Sequence, residues 1–232
     1  MSYLWQEFNI KTFPSETLVF RDGVFCPALS EYNCAEYDDK KNLIKIEKTS
    51  KLPVHIIYIG EIAGNIDLNI DINSEKSRVF MTMKIFNKKP AFLNIFIKNT
   101  GKKSFFDGKI IAKNTDILKI KETANHISSN TGIFLKNRIV AYKNSETVLN
   151  GYAQIEKDAK DCDSDISFLV MADKDAKITM SPTQYIKSVP QNASHSASIY
   201  KPNDNQIYYL RTSGLSGDEI KKVFENAFLE EE

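Results

Sequence analysis

One stretch decides the fold: Ile66-Asp67-Leu68-Asn69-Ile70-Asp71-Ile72, in which every second residue is apolar. Successive side chains of a β-strand point to opposite faces, so this period predicts one buried face and one solvated face. The polar residues Asp67, Asn69 and Asp71 lie on the same face and form a ladder that could bind a cation. A solvated strand face is several times more common for such a ladder, and we adopt that interpretation.

Runs of the same kind extend over most of the chain on both sides of this strand. They occupy residues 54–59, 79–85, 93–97, 109–112, 117–120, 139–142, 148–155, 166–170 and 177–180. Polar turns such as Asn99-Thr100-Gly101-Lys102 separate them. The strands recur roughly every 12 to 15 residues, which is compatible with a sandwich, a barrel or a β-solenoid. No strict sequence repeat is present, so the spacing alone predicts an all-β body without choosing among the three.

The last thirty or so residues change to a helical pattern. Asn203 can cap a short helix that ends at Gly214, and Ser216-Gly217-Asp218-Glu219 has the form of a capping box. The apolar residues that follow have helical spacing, namely Ile220, Val223, Phe224, Ala227 and Phe228. The β-rich body is therefore predicted to end in a pair of helices.

Composition excludes several classes of protein. The 232 residues include 31 basic and 30 acidic ones, which argues against a nucleic-acid-binding surface. No apolar stretch approaches the length of a membrane span, and we see no targeting segment at the N-terminus. Cys26, Cys34 and Cys162 show no CxxC spacing, which favours free thiols in a reducing compartment. We therefore expect a cytoplasmic protein, or a protein of an organelle stroma if the source is eukaryotic, without nucleic-acid or membrane partners.

Three segments resemble the SufD branch of the SufB/SufD family of iron–sulfur cluster assembly proteins. Residues 18–30 read LVFRDGVFCPALS, which looks like the segment that leads into the family's core domain. Residues 43–58 resemble the opening of the family's β-helix. Residues 193–229 contain, in order, Ser194-His195, a spacer, a helix, Arg211-x-x-Gly214 and a final helix, which is similar to the family's C-terminal signature. The resemblance covers most of residues 17–230.

The resemblance implies a right-handed parallel β-helix followed by a short C-terminal helical pair. It implies a lead-in segment at residues 1–40, a β-helix core at 41–200 and a helical segment at 201–232 that docks an ATPase. The chain would be a shortened SufD without the family's N-terminal helical domain. Its partners would be a SufC-type ABC ATPase and either a SufB-like paralogue or a second copy of itself. No cofactor would be bound stably, although an iron–sulfur cluster or iron could bind transiently in the complex.

Residue by residue, the resemblance leaves His195 as the candidate ligand for iron or a cluster. Ser194-His195-Ser196 follows SufD in its first two positions, but the SufD cysteine two residues before the histidine is replaced by Ala193. A neutral imidazole is a good iron ligand, while a lone histidine is more often structural. The residues predicted to dock the ATPase are Tyr208, Tyr209, Arg211, Gly214, Ile220, Val223, Phe224 and Phe228. The alternative for Phe224 is that its ring packs inward on the β-domain.

The remaining candidates have ordinary explanations. We interpret Cys162 as a packing residue and Cys26 and Cys34 as structural, His55 as a strand or core residue, and His126 as a surface residue. No Gly-rich phosphate loop, HExxH or GxSxG motif is present, so we expect no enzymatic activity. Two alternatives stay open: a β-solenoid enzyme acting on carbohydrate or acyl substrates, and a purely structural homodimer.

Overall fold

A computed structural model describes residues 16–230, and β-strands make up most of the regular secondary structure in this range. The strands are β1 Thr17–Arg21, β2 Val24–Phe25, β3 Ala35–Asp38, β4 Leu43–Ile46, β5 Val54–Glu61, β6 Gly64–Ile72, β7 Arg78–Asn87, β8 Ala91–Asn99, β9 Phe105–Asn114, β10 Ile117–His126, β11 Gly132–Ala141, β12 Glu146–Ile155, β13 Asp163–Ala172, β14 Lys177–Ile186 and β15 Asn192–Tyr200. Two helices follow, α1 Asp204–Thr212 and α2 Gly217–Glu230. A 3-10 turn at Pro27–Leu29 interrupts the first strands.

The strands form two sheets, and from β4 onward sequence neighbours alternate between the sheets. Within the described residues, one sheet has the order β15-β13-β11-β9-β7-β5-β1-β2 and the other the order β14-β12-β10-β8-β6-β4-β3. From β4 and β5 onward every pairing is parallel; Met81 pairs with Gly108 and Gly108 with Leu135, a step of 27 residues each time. Each coil thus contributes one strand to each sheet. The prediction of a parallel β-solenoid is confirmed, and the strand spacing seen in the sequence is half of one coil.

Alternating burial explains why these residues form strands. In β6, Leu68, Ile70 and Ile72 point inward and are at most 4% exposed. The polar residues between them face outward, where Asn94 Nδ2 donates a hydrogen bond to Asp67 Oδ1 at 2.7 Å. The described residues contain no group of three metal-ligating side chains, on this face or elsewhere. Asp67 is exposed and Asn69 and Asp71 are partly exposed, so the outward ladder faces solvent.

Buried polar residues close the corners between the strands. At one corner Asn87 Nδ2 donates to Asn114 Oδ1 at 2.9 Å, and Asn114 Nδ2 donates to Thr147 Oγ1 at 2.7 Å. Asn114 Nδ2 also bonds the backbone carbonyl of Glu146 at 2.8 Å. All three side chains are buried. Because one coil lies above the next, each side-chain amide donates a hydrogen bond to a polar side chain of the following coil. The stack of these residues therefore runs parallel to the solenoid axis.

Part of the predicted lead-in segment pairs with strands of the solenoid. β1 pairs in parallel with β5, and β3 pairs antiparallel with β4, so residues 17–38 complete the first coil. Glu16 holds the connection through hydrogen bonds from the backbone amides of Asn33 and Cys34. Residues 1–15 of the lead-in lie outside the described residues.

Both C-terminal helices begin where the sequence predicts. Asn203 caps α1 with its side chain and forms a capping box with Gln206. Ser216 and Glu219 bond each other ahead of α2, since the Ser216 amide donates to Glu219 Oε2 at 2.8 Å. Gly214 has a φ of +91°, the left-handed conformation that ends α1 at little cost for glycine. None of the helices in the described part of the chain is long and apolar enough to cross a membrane.

The corner stack generates a prediction about stability. Asn114→Ala removes four hydrogen bonds, including those to the buried Thr147 hydroxyl and the Glu146 carbonyl, while Asn87 Nδ2 keeps its bonds to the Lys89 and Ile117 carbonyls. Each unsatisfied buried group costs about 1 to 3 kcal/mol, so we expect urea denaturation to show a loss of about 2 to 4 kcal/mol.

The matched control is Asn150→Ala, which truncates an exposed asparagine in β12. We expect its free energy of unfolding to stay within about 0.5 kcal/mol of that of the parent protein. Equal effects of the two substitutions would show that the buried stack does not stabilise the coils.

Candidate functional site

The C-terminal end of the solenoid is open. β14 and β15 are the last strands of their sheets, so each has a paired edge on one side only. Met180 stacks on Leu149 and Ile199 on Val170, both inward positions that are fully buried one coil earlier. In the last coil Met180 is half-buried and Ile199 is 49% exposed. This end therefore presents apolar inward positions and unpaired backbone groups to whatever lies beyond it.

His195 lies at this open end. It pairs with Ile166, whose side chain faces the solenoid interior, so His195 continues an inward-facing row. The row ends with His195, and its imidazole is exposed. Both ring nitrogens can thus be reached from the end of the solenoid, whereas a histidine in an earlier coil would be enclosed.

Hydrogen bonds hold the strand that carries His195. Gln184 Nε2 in β14 donates to the Ser194 carbonyl at 2.8 Å and so joins the two terminal strands. Ser194 Oγ donates to Asp165 Oδ1 at 2.6 Å. Ser196 Oγ donates to Ser167 Oγ at 3.0 Å. The backbone around His195 is fixed on both sides, although the imidazole itself is not covered.

The cysteines lie apart from His195. Cys162 is fully buried, and its thiol contacts the Ser128 carbonyl at 3.4 Å and Thr131 Oγ1 at 3.3 Å, so it packs inside a corner as expected. Cys26 and Cys34 are free thiols near the opposite end of the solenoid, in the segments next to β2 and β3. In the described residues, then, His195 has no nearby thiolate of its own chain.

The other two histidines are strand residues. His55 lies on the outer face of β5 and stacks on Phe80 with ring centroids 5.6 Å apart, which agrees with its assignment to a strand. The expectation that His126 is a surface residue is wrong. It is fully buried, and its Nδ1 is 2.8 Å from Thr131 Oγ1. Burial lowers the pKa of His126 to about 4, so the ring is neutral near pH 7.

The apolar face of α2 packs on the solenoid. Ile220, Phe224 and Phe228 are at most 7% exposed and form a cluster with Val140 and Met171. Three of the predicted docking residues therefore contact the chain's own β-domain. For Phe224 the structure favours the inward alternative, since this ring already has its apolar contacts.

Polar contacts hold α2 on the same surface. Glu225 is buried, accepts a hydrogen bond from Tyr142 Oη at 2.7 Å, and lies 3.6 Å from Lys113 Nζ. Burial and then this carboxylate hold the pKa of the Tyr142 hydroxyl above its ordinary value. Lys221 Nζ is 2.7 Å from Asp173 Oδ2. The helix is thus anchored through polar as well as apolar side chains.

The remaining docking candidates face outward. Tyr208 and Tyr209 in α1 are 70% and 69% exposed, and Val223 in α2 is 42% exposed. Arg211 is exposed in the last turn of α1, and Gly214 is exposed in the connection between the helices. With its inner face packed on the solenoid, the helical pair therefore leaves two tyrosines and a valine exposed on its outer surface.

A buried polar pair inside the solenoid was not predicted from the sequence. Glu122 is fully buried, and Asn137 Nδ2 donates to its Oε2 at 2.5 Å. Glu122 Oε1 and Asn137 Oδ1 have no hydrogen-bond partner. Burial raises the pKa of Glu122 to about 7, and the bond from Asn137 counters this in part. The signal was available, because Glu122 occupies an inward position between Ile120 and Ala124.

A comparison with known families assigns this architecture. The family model described as SUF system FeS cluster assembly, SufBD core domain, matches residues 72–228, which is more than half of the chain. The chain belongs to the SufBD family. The match covers the solenoid from the end of β6 onward, the open end with His195, and both helices up to Phe228.

A relative supports the same assignment for this SufBD chain. An iron–sulfur cluster assembly SufBD family protein of Mycobacterium leprae is 26% identical over 106 residues. The aligned region is 45% of this chain and 12% of the relative, so the SufBD chain spans a small part of that protein's length. Both comparisons support iron–sulfur cluster assembly at the level of the family, and neither distinguishes SufD from SufB.

The buried glutamate of the SufBD chain generates a pH-dependent prediction. The unfolded chain loses the Glu122 proton near 4.5 and the folded chain near 7, so this group lowers the folding stability as pH rises through that window. Glu122→Gln removes the ionisation. We expect its free energy of unfolding, relative to the parent, to increase by about 1 to 3 kcal/mol between pH 5 and pH 8.

Urea denaturation at the two pH values measures this difference, and the His126 contribution cancels because both proteins retain that residue. The control is Glu36→Gln, which changes an exposed strand glutamate and should show no such trend. A pH-independent difference between parent and Glu122→Gln would mean that Glu122 is not held protonated by burial.

Proposed function

We propose that this chain is a SufD-like, non-catalytic subunit of a SUF iron–sulfur cluster assembly scaffold. In this proposal it binds a SufC-type ABC ATPase and pairs with a SufB-like paralogue or with a second copy of itself. The observation that carries the proposal is the family match over residues 72–228, which includes the open end and the helical pair together. Ser194-His195-Ser196, with no glutamate after the histidine, supports the SufD branch.

The open end supports pairing through the β-domain. β14 and β15 expose backbone donors and acceptors along one edge, and the inward positions above them are only partly covered. Tyr185, Ile186 and Val189 add exposed apolar surface, at 53%, 42% and 74% exposure. A second solenoid end placed here would continue the parallel or antiparallel pairing and cover both features.

His195 gives this pairing a chemical role. Iron–sulfur clusters rely mainly on thiolate ligands, with histidine as an occasional one. Since His195 is exposed at the open end and the described cysteines lie elsewhere, its co-ligands would come from the paired subunit. The cluster or iron is then cargo that binds transiently at the subunit boundary, and the chain alone binds none stably.

The outward surface of the helical pair supports ATPase docking. Tyr208, Tyr209 and Val223 are exposed, and Arg211 can bond partner carboxylates or carbonyls beside them. Tyrosine and arginine are enriched at the centres of protein interfaces. Ile220, Phe224 and Phe228 would act indirectly by holding α2 on the solenoid. ATP hydrolysis would belong to the partner, and the assembly would be cytoplasmic, as the cysteine content predicts.

Docking and packing can be separated with two substitutions. Tyr209→Ala should weaken binding of the SufC-type ATPase tenfold or more in calorimetric titration and leave the melting temperature nearly unchanged, because the ring is exposed. Phe224→Ala should lower the stability by about 3 to 5 kcal/mol, since it opens a cavity under α2.

The control for location is Tyr185→Ala, which truncates a similarly exposed tyrosine at the open end and should bind the ATPase as the parent does. Loss of affinity in Tyr185→Ala with none in Tyr209→Ala would move the docking site away from the helices. Failure of the parent protein to bind the ATPase at all would reject the SufC part of the proposal.

Pairing through the open end is tested by placing a charge on it. Ile199→Lys puts an ammonium at a half-exposed inward position of β15, where it stays hydrated in the monomer but would be buried in a pair. Sedimentation at tens of micromolar, alone and with a SufB-like paralogue, should show a pair for the parent and a monomer for the variant.

The control is Val24→Lys, which changes another exposed apolar residue at the opposite end of the same sheet. It should pair as the parent does. Dissociation by Val24→Lys with no effect of Ile199→Lys would place the interface at the wrong end for His195 to take part.

A further inference from the structure

A groove lies on the outer face of the sheet in which β6, β8 and β10 run side by side. These three strands form its floor, and the turn between β3 and β4 forms one wall. Its volume is about 440 Å³, within the range of about 300 to 1,000 Å³ that is typical of small-molecule sites. His195 is on β15, a strand of the other sheet, so the groove is separate from the candidate cluster site.

Hydrogen bonds fix the wall of the groove to its floor. The backbone amide of Asn69 donates to the Asn42 carbonyl at 2.8 Å, and Asn69 Nδ2 donates to the Lys41 carbonyl at 3.2 Å. Asn42 Oδ1 in turn accepts a hydrogen bond from Tyr37 Oη at 3.0 Å. Because these bonds join the turn to β6, the groove is pre-formed, and a ligand does not have to order its wall on binding.

The groove is positively charged, although the chain as a whole has a net charge of only +1. Lys40 and Lys41 lie in the wall and Lys121 in the floor, and the lining contains one carboxylate, that of Asp67. Lys41 Nζ is 3.7 Å from Asp38 Oδ2, in a pair that is well exposed to solvent. Within the described part of the chain, Lys40 and Lys121 form no ion pair. The groove therefore carries positive charge that is not neutralised, and it attracts anions.

Groups that can recognise hydroxyls lie between the cations. Asp67, Asn94 and Lys121 are in register on neighbouring strands, so the carboxylate and the lysine are two strand spacings apart, about 10 Å. Asn94 Nδ2 donates to Asp67 Oδ1 at 2.7 Å, and Asp67 Oδ2 can accept a hydrogen bond from a ligand hydroxyl. In the next row, Phe96 contributes an apolar ring and Thr123 a hydroxyl to the lining.

A smaller inner cavity adjoins the groove and contains an unpaired hydroxyl. Its volume is about 80 Å³, and Asn42 and Asp67 line both spaces. Tyr58 also lines the inner cavity; this residue is 2% exposed, and its hydroxyl has no hydrogen-bond partner among the described residues. The hydroxyl lies 3.3 Å from the position that a Cβ of Gly23 would occupy, so the glycine leaves space beside it. Buried hydroxyls are normally paired, which indicates that the inner cavity accommodates a polar group.

We propose that the groove binds a small organic phosphate that carries hydroxyl groups, such as a sugar phosphate. Lys40 and Lys41 contact the phosphate from the wall and Lys121 contacts it from the floor, since lysine is a common phosphate ligand. Asp67 and the Tyr58 hydroxyl bind the hydroxyl groups of the ligand. A nucleic acid is disfavoured, because the groove offers three cations and the rest of the chain has balanced charge.

Amide NMR titration of the full chain measures the affinity and the location of binding together. The probes are ribose 5-phosphate, ribose and inorganic phosphate, at an ionic strength of about 0.1 M. We expect ribose 5-phosphate to bind about fivefold or more tightly than either of the other two, because it alone has both a phosphate and hydroxyl groups. The shifted amides should lie in residues 38–42, 94–96 and 121–123. Absence of saturable shifts with ribose 5-phosphate overturns the proposal.

Two substitutions separate the parts of the site. Lys121→Met should weaken the binding of both ribose 5-phosphate and inorganic phosphate by about fivefold or more, because it removes one cation. Tyr58→Phe should weaken ribose 5-phosphate alone, because it removes the hydroxyl of the inner cavity. The matched control is Lys177→Met, which removes an exposed lysine from β14 of the same sheet and should bind as the parent does. The amide spectrum of each variant verifies that it is folded.

The pattern among the variants decides the outcome. Loss of affinity for ribose 5-phosphate in Lys121→Met but not in Lys177→Met supports the site. Equal affinities of these two variants overturn it, since binding then depends on net charge or occurs elsewhere. Unchanged affinity in Tyr58→Phe overturns the role of the inner cavity. Tighter binding of citrate than of ribose 5-phosphate overturns the phosphate assignment, because the lysines then select carboxylates.

Discussion

Parallel pairing between successive coils is the constraint on which the rest of the structure depends. Gly108 pairs with Met81 on one side and with Leu135 on the other, so its backbone is satisfied only between two neighbours. The same geometry stacks inward side chains into rows and explains why polar residues such as Asn87 and Asn114 occur as stacks. A polar group placed at a corner is buried by the next coil and needs a hydrogen-bond partner there. A polar side chain at the equivalent position of that coil is the nearest one.

At the last coil the parallel pairing is incomplete, because β14 and β15 are paired on one side only. The candidate site lies at this unpaired end. β14 and β15 carry the inward positions of the same stacked rows, and within the described residues no further coil covers them. His195 is accessible for this reason alone, since it occupies the same row as the buried Ile166. In the proposed pair, the partner that completes this row would also enclose the imidazole of His195.

How much of the fold and of the site could be predicted from the sequence depends on how far apart in sequence the interacting residues are. Strands and caps depend on neighbours within a few residues, so the alternation at 66–72 and the Ser216 capping box were sufficient. A solenoid, by contrast, is defined by strands that pair about one coil apart in sequence. Stacked residues such as Met81, Gly108 and Leu135 share no residue type, so the sequence shows no repeat. Only the family resemblance therefore distinguished a solenoid from a sandwich. His126 was misassigned because its local surroundings are polar, while its burial follows from its inward position and from Thr131 beyond the corner.

The direction in which α2 buries its apolar face was also encoded, but in the strands rather than in the helix. The outward row that contains Lys113 in β9 becomes Val140, Met171 and Tyr200 in the coils that follow. The outward positions of this row are apolar where α2 lies on them. The apolar face of α2 is therefore buried against the chain's own solenoid. The exposed tyrosines of α1 remain on the outward surface of the helical pair. Where this outward row turns apolar, the solenoid contacts α2, and where the inward row of Ile166 becomes exposed at His195, the stack is incomplete.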